Sequence, residues 1–181
     1  MQNQEAEKQL IRDSKSDPQP FEAIYLKYYE PVLRFVYKRM ENLEDCRDVT
    51  SNVFTKALAG IRNYKDIGLP FSSWLYRIAI NEINQFYRDT KKMRVISIDD
   101  KGIKHLATES IVDTDEFISV LKKSLLYLSE EELQMIALRY FEERPFAEVG
   151  HILNISEANA KIRTYRVIDK LKEIYKKISQ E

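Results

Sequence analysis

The sequence predicts an all-α chain of two small helical domains joined by a flexible linker, the second domain ending in a helix-turn-helix. Three observations lead there. Only 4 glycines in 181 residues argue for long helices over turn-rich sheet. Apolar residues return at helical spacing from Phe21 to Lys92 and again from Phe117 to Ile178. Between those stretches, residues 93–116 lose the period and are rich in Asp, Ser and Thr, which reads as an acidic linker with little core of its own. The expected division is therefore 1–92, 93–116 and 117–181.

Within the first domain, "FEAIYLKYYEPVLRFVYKRM" gives one or two helices, with Asp17 as the expected cap before Pro18 and a break or kink at Pro31. In "LEDCRDVTSNVFTKALAGI" a helical wheel puts Cys46, Val49, Val53, Phe54, Ala57 and Leu58 on one side. Asp45, Asp48, Ser51, Asn52 and Thr55 fall on the other, a polar face left over for another role. The loop "RNYKDIGLP", punctuated by Gly68 and Pro70, leads into "FSSWLYRIAINEINQFYRDTKK". Here Phe71, Leu75, Ile78, Ala79, Ile83 and Phe86 make the apolar side, with Tyr76 and Tyr87 at its margin. Arg77, Asn81, Asn84, Gln85, Arg88 and Lys92 lie opposite, and Trp74 is the one aromatic among them.

In the second domain "FISVLKKSLLYL" is helical by spacing, and "SEEELQMIALRYF" opens with Ser129 and Glu132 at capping-box spacing, so a helix should begin near Glu130. Pro145 starts a short helix. Asn154-Ile155-Ser156 is a tight break, and Ser156 caps a long final helix. Two helices joined by so short a break, the second one basic, make a helix-turn-helix whose second helix fits the DNA major groove. On the wheel Ala160, Val167, Ile168, Leu171, Ile174 and Ile178 are the buried stripe, leaving Asn159, Arg163, Arg166 and Lys170 as donors for base edges and phosphates.

Charge supports this placement. The chain is neutral as a whole, with 29 basic and 29 acidic residues, but the charge is unevenly spread. Residues 61–94 carry seven Lys+Arg against three Asp+Glu, residues 95–135 four against nine, and Asn159–Lys177 seven against Asp169 and Glu173 alone. Two basic islands flank an acidic bridge. A single cysteine and two unaccompanied histidines, His105 and His151, offer no metal-ligand set, and no nucleophile–base pair or phosphate-cradling glycine loop is present. Neither enzyme activity nor a cofactor or metal is expected. Cys46, on the apolar stripe, reads as a core residue. No window is long and apolar enough to span a membrane, and "MQNQEAEKQLIRDSK" is too polar for a secretory signal, so a cytoplasmic protein is expected.

The run "LSEEELQMIALRYFEERPFAEVGHILNISEANAKIRTYRVIDKL" resembles the promoter-binding region of bacterial RNA polymerase sigma factors, and Phe21 to Lys92 resembles their promoter-melting domain. "WLYRIA" at 74–79 followed in order by "ISE" at 155–157 and a basic helix is the joint signal. With both segments spanning nearly the whole chain, it is most similar to the small extracytoplasmic-function (ECF) sigma factors.

That resemblance implies partners and roles. Core RNA polymerase, through its β′ and β subunits, and promoter DNA are the implied partners, together with an anti-sigma factor. Asp48, Ser51, Asn52 and Thr55 would dock on the β′ coiled coil, although the family usually has Gln-Glu where this chain has Ser51-Asn52. Arg62, Tyr64, Lys65, Trp74, Arg77, Asn81, Asn84, Gln85 and Arg88 would hold unpaired bases of the melted minus-ten element; the family commonly has Asp where Gln85 stands. Ser156, Asn159, Lys161, Arg163, Arg166 and Lys170 would bind the upstream element, with Ala158-Asn159 in place of the usual Gly-Thr. Melting by capture is physically sensible, since extruded bases stack on aromatic faces while Arg and Lys neutralise the strand. Two other readings compete. One is a stand-alone helix-turn-helix regulator; the other is a helical polymerase-binding regulator without promoter recognition.

Overall fold

The computed structural model describes residues 2–40, 42–91 and 115–180; Lys92, His105 and the expected linker up to residue 114 lie outside them. Every regular element among the described residues is a helix, as expected, and the chain separates into two compact units, Met1–Val95 and Ile96–Glu181.

The first unit contains α1 (Gln2–Asp13), α2 (Phe21–Tyr37), α3 (Leu43–Gly60), a 3-10 turn (Ile61–Asn63) and α4 (Phe71–Thr90). Helix α1 has no counterpart in the sequence reading, because polar contacts hold it more than an apolar stripe does. Only Ile11 is a buried hydrophobic residue there. The Glu7 carboxylate accepts from Lys27 Nζ at 2.6 Å and from the Tyr28 hydroxyl at 2.5 Å. Lys8 pairs with Asp66 at 3.0 Å, and Lys15 Nζ donates to the Tyr64 carbonyl at 2.8 Å.

Asp17 does not cap α2. Its carboxylate accepts from the Gln19 N–H at 3.0 Å, closing a local turn, and the helix begins four residues later behind Pro20. Nor does Pro31 divide α2, which runs on to Tyr37. A proline inside a helix costs about 3 kcal/mol, but Ile24, Val32, Phe35 and Val36 are all buried on either side of it and hold the helix together. Helix α3 is capped by Asn42, whose side chain accepts from Glu44 N and Asp45 N.

Helix α4 packs on both α2 and α3. Its buried arc is therefore wider than a single stripe. Tyr76 and Tyr87, expected at the margin, are buried: Tyr76 stacks on Phe35 with ring centroids 4.4 Å apart, and the Tyr87 hydroxyl donates to the Arg39 carbonyl at 2.9 Å. Ile80 joins the core, while Ile78 and Phe86 are only half-buried.

The second unit holds α5 (Asp115–Leu125), α6 (Glu130–Ile136) widening into a π turn (Ala137–Phe141), α7 (Phe146–Leu153) and α8 (Glu157–Ile178). The Ser129–Glu132 capping box is present at the start of α6. Leu121, Leu125, Leu128, Ile136, Tyr140, Val167, Ile168 and Leu171 form the core. On α8 the buried stripe also includes Thr164, whose hydroxyl donates to the Ala160 carbonyl at 2.8 Å and so needs no other partner.

The α7–α8 turn depends on Gly150 and Asn154. Asn154 ends α7 in the left-handed region at φ 59°, which asparagine tolerates well. A Cβ on Gly150 would lie 2.9 Å from the Ile155 carbonyl oxygen and 3.1 Å from Ser156 C and Glu157 N. Those atoms are backbone and cannot swing aside. Gly150→Ala is expected to destabilise this unit by about 1–3 kcal/mol, read as a lower denaturation midpoint for helix loss and as a displaced α8; an unchanged midpoint would show that the turn relaxes freely.

Candidate nucleic-acid interfaces

Three surfaces collect the residues singled out from the sequence, two on the first unit and one on the second.

On α3 the inner side is filled by Cys46, Val49, Thr50, Val53, Phe54 and Ala57. Asp48, Ser51, Asn52 and Thr55 are exposed together on the outer side, one helical turn after another, and Thr55 Oγ1 donates to the Ser51 carbonyl at 2.9 Å. One detail differs from the wheel. Leu58, expected with the apolar set, is 38% exposed and extends the outer face. Thr50 is fully buried, its hydroxyl satisfied by the Cys46 carbonyl at 2.7 Å. Burial also raises the Cys46 thiol pKa, with the Asp45 charge adding to it, so the group stays a protonated core side chain.

The second surface joins the end of α3, the 61–70 loop and the outer strip of α4. Arg62 and Lys65 are exposed. Tyr64 is half-buried, its ring 5.1 Å from Phe71 and 5.0 Å from Trp74, and Trp74 lies 5.3 Å from Phe71. Trp74 is thus one wall of an aromatic cluster, not an isolated side chain on a polar strip. Burial raises the Tyr64 pKa, with Asp66 and Glu7 contributing, so the phenol stays neutral. The loop itself is held: Gly68 N–H donates to the Asp66 carboxylate, which with the Lys8 contact lowers the Asp66 pKa. Tyr64, Trp74 and Asn81 line one open cleft together with Lys56, Gly60, Asn63, Ile78 and Glu82.

Lys56 and Glu82, ion-paired at 2.5 Å across that cleft, were not legible in the sequence as site residues. They lie 26 positions apart, and only the packing of α3 on α4 brings them together. Further along α4, Gln85 is already engaged: its oxygen accepts from Arg88 at 2.7 Å and its amide donates to Asp89 at 2.7 Å. Asn81, Gln85 and Arg88 are exposed, and Arg77 and Asn84 are half-buried.

The third surface is α8. Ser156 caps it, accepting from Asn159 N–H at 3.2 Å. Lys161, Arg163 and Arg166 are exposed, and Arg163 Nε donates to Asn159 Oδ1 at 3.0 Å, which aims both side chains along one line. Lys170 differs from its neighbours. Its ammonium is held by both oxygens of Glu132, at 2.9 and 2.7 Å, so its charge is partly neutralised within the fold.

Burial alone would raise the Glu132 pKa, but the Lys170 ammonium and the Ser129 bonds hold the carboxyl below its ordinary value of 4.5. A depressed carboxylate pKa contributes stability above the ordinary value and loses it as pH falls through the lowered one. Glu132→Gln is therefore expected to cost about 0.5–1 kcal/mol at neutral pH, with the gap to the unsubstituted chain closing on acidification below the ordinary value. Parallel denaturation curves at both pH values check this; a gap that persisted in acid would remove the ionic part of the explanation.

The family described as Sigma-70 region 2 matches residues 24–93, and the family described as Sigma-70, region 4 matches residues 125–173. ECF RNA polymerase sigma factor SigW of Bacillus subtilis is 26% identical over 170 residues, covering 88% of this chain and 90% of that protein. ECF RNA polymerase sigma factor SigM of the same organism is 29% identical over 153 residues, covering 84% and 93%. Among solved structures, CnrH in complex with the cytosolic domain of CnrY superposes with a TM-score of 0.56 at 17% identity, covering 91% of this chain and 94% of that one. The sigma factor RpoE in complex with the anti-sigma factor NepR from Bartonella quintana gives a TM-score of 0.55 at 18% identity, covering 86% and 96%. At such identities the structural likeness speaks to the fold.

Proposed function

Because the chain belongs to the sigma-70 family of bacterial RNA polymerase sigma factors, carrying region 2 followed by region 4 in the manner of the ECF group, we propose that it directs core polymerase to a specific set of promoters through the three surfaces just described. The observation that carries this reading is that both regions occur in one chain and in order. A helix-turn-helix alone would serve many regulators.

In this division of labour the outer face of α3, with Asp48, Ser51, Asn52 and Thr55, docks on the β′ subunit of core polymerase. The chain makes and breaks no covalent bond and is not an enzyme; the polymerase carries the chemistry. Helix α8 enters the major groove of the upstream element, with Ser156, Asn159, Lys161, Arg163 and Arg166 at the DNA and Lys170 competing with its own ion pair. The loop from Arg62 and Lys65 through Tyr64 to the α4 strip of Trp74, Arg77, Asn81, Asn84, Gln85 and Arg88 receives the bases that leave the duplex. Opening is favoured because single-stranded bases gain aromatic and cationic contacts that paired bases cannot make. The work is done in the cytoplasm, where core polymerase and promoter DNA meet. Among the described residues no helix is long and apolar enough to cross a membrane.

An anti-sigma partner that covers these faces would keep the chain inactive until released; one of the superposed structures is of a sigma factor in complex with an anti-sigma factor. The domain division 1–92, 93–116 and 117–181 separates melting from upstream recognition, with the intervening segment as the connection. Purified chain mixed with core polymerase should co-elute at moderate salt and start transcripts from a cognate promoter mapped after induced expression. Failure to co-elute, or alanine at Asp48 and Asn52 leaving polymerase-dependent transcription untouched, would overturn the reading in favour of a self-sufficient DNA-binding regulator.

A further inference from the structure

We infer that Ile162, supported by Tyr165, is a specificity-determining residue that reads the 5-methyl group of thymine in the upstream element; this rests on the placement of α8 in the major groove proposed above.

Ile162 is a large aliphatic side chain on the exposed side of its helix. Ala160, Thr164, Val167, Ile168 and Leu171 define the buried side of α8. At about 100° per residue, Ile162 points almost directly away from their common direction, and it is 52% exposed. It also lies in the second turn after the Ser156 cap, in the stretch of a recognition helix that reaches base edges. Tyr165, one turn further on and 48% exposed, extends the same facet. Its ring is 6.0 Å from Phe146 of α7, which in turn sits 5.0 Å from the Arg139 guanidinium, so the facet is backed by a packed element.

The neighbours of Ile162 narrow what can cover it. Lys161, Arg163 and Arg166 are exposed cations around an apolar centre. A polyanion suits that rim, and the surface at its middle must then meet something uncharged and apolar. On the major-groove edges of DNA the thymine C5-methyl is the group that fits; the remaining edge positions present chiefly hydrogen-bond donors and acceptors, which isoleucine cannot satisfy. Hydrogen-bond readout falls to Asn159 and Arg163, and methyl readout to Ile162. Neither Ile162 nor Tyr165 is among the residues expected at the DNA from the sequence, because an aliphatic side chain carries no hydrogen-bonding group that would mark it as a base reader.

The test uses the full chain on core polymerase. Upstream sequences are enriched from a random pool, and in the winner each thymine is replaced singly by uracil, which removes the methyl and leaves the pairing edge intact. Losing one buried methyl should weaken binding about fourfold, so at one position or more the unsubstituted chain should prefer thymine by that factor. In Ile162→Ala the thymine-to-uracil ratio should fall to one at that position, with Ile162→Val between the two; the exposed site keeps the fold intact, checked by helical circular dichroism. Equal ratios for the unsubstituted chain and Ile162→Ala at every position, or an enriched element without thymine, would overturn the inference and leave the function standing. If no upstream sequence is enriched at all, the placement of α8 in the groove fails and the inference fails with it. Ile162→Ala losing core polymerase instead of DNA discrimination would reassign the facet to a protein contact.

Discussion

Alanine at both Arg163 and Arg166 is expected to lower transcription from a cognate promoter by roughly 100-fold while leaving association with core polymerase unchanged. Both guanidinium groups stand on the exposed side of α8, away from the core of Val167, Ile168 and Leu171, so their removal leaves packing intact. The loss is one of binding: each base contact is worth about 1–3 kcal/mol, and each phosphate contact shows instead as a salt slope reduced by about 0.9. Affinity for an upstream duplex measured at several salt concentrations separates these roles. An arginine that reads a base costs discrimination at one position, whereas an arginine on phosphate costs affinity for every sequence alike. Lys170→Ala should do far less to DNA binding than either arginine, since its ammonium is already shared with Glu132. Undiminished promoter affinity in the double variant would remove α8 from the DNA altogether.

Local signals carried a good part of this fold. The Ser129–Glu132 box, the Asn154 break and the Ser156 cap each depend on residues within four positions of one another, so the sequence contains the whole cause. The same is true of the exposed set on α3, since a helix turns every residue by a fixed angle. What failed depended on partners far away in the chain. Helix α1 is held by Glu7, Lys8 and Lys15 reaching Lys27, Tyr28, Asp66 and Tyr64, and no periodicity announces such contacts. Tyr76 and Tyr87 moved from margin to core because α4 has two neighbours in place of one. Buried polar groups were equally hidden. Arg39, 2% exposed, lies with its guanidinium 3.7 Å over the Phe35 ring and donates to the Phe35 carbonyl, a use of arginine that charge counting assigns to the surface.

Those distant contacts also bear on how the proposed melting surface is built. Lys15 fixes the Tyr64 carbonyl, Lys8 fixes Asp66, and Asp66 fixes the Gly68 N–H. The loop proposed to receive unpaired bases is thereby held in place by contacts within its own unit, which would spare a complex the ordering cost of a loose segment. Exposed Ile67, between Asp66 and Gly68, is presented by a loop anchored on both sides of it.

Trp74 is where packing and the proposed strand contact meet, and two substitutions are expected to separate them. The sequence alone suggests that alanine there weakens promoter opening more than it unfolds the domain. In the structure the indole also packs: its rings lie beside Tyr64 and Phe71, and its Cζ2 is 3.6 Å from where a Cβ on Gly60 would sit. Trp74→Ala should therefore do both, costing about 2 kcal/mol of stability, below the 3–5 kcal/mol of a fully buried aromatic because the residue is only half-buried. Trp74→Leu should restore most of the packing volume without a flat face. If Trp74 stacks on an extruded base, both variants lose about 1–3 kcal/mol of open-complex stability, whatever their melting temperatures. A fluorescent adenine analogue in the minus-ten element reads opening directly, and guanidinium denaturation reads the fold. Leucine that restores stability and opening together would make Trp74 a core residue alone; leucine that restores stability but not opening would leave its aromatic face as the group that meets the strand.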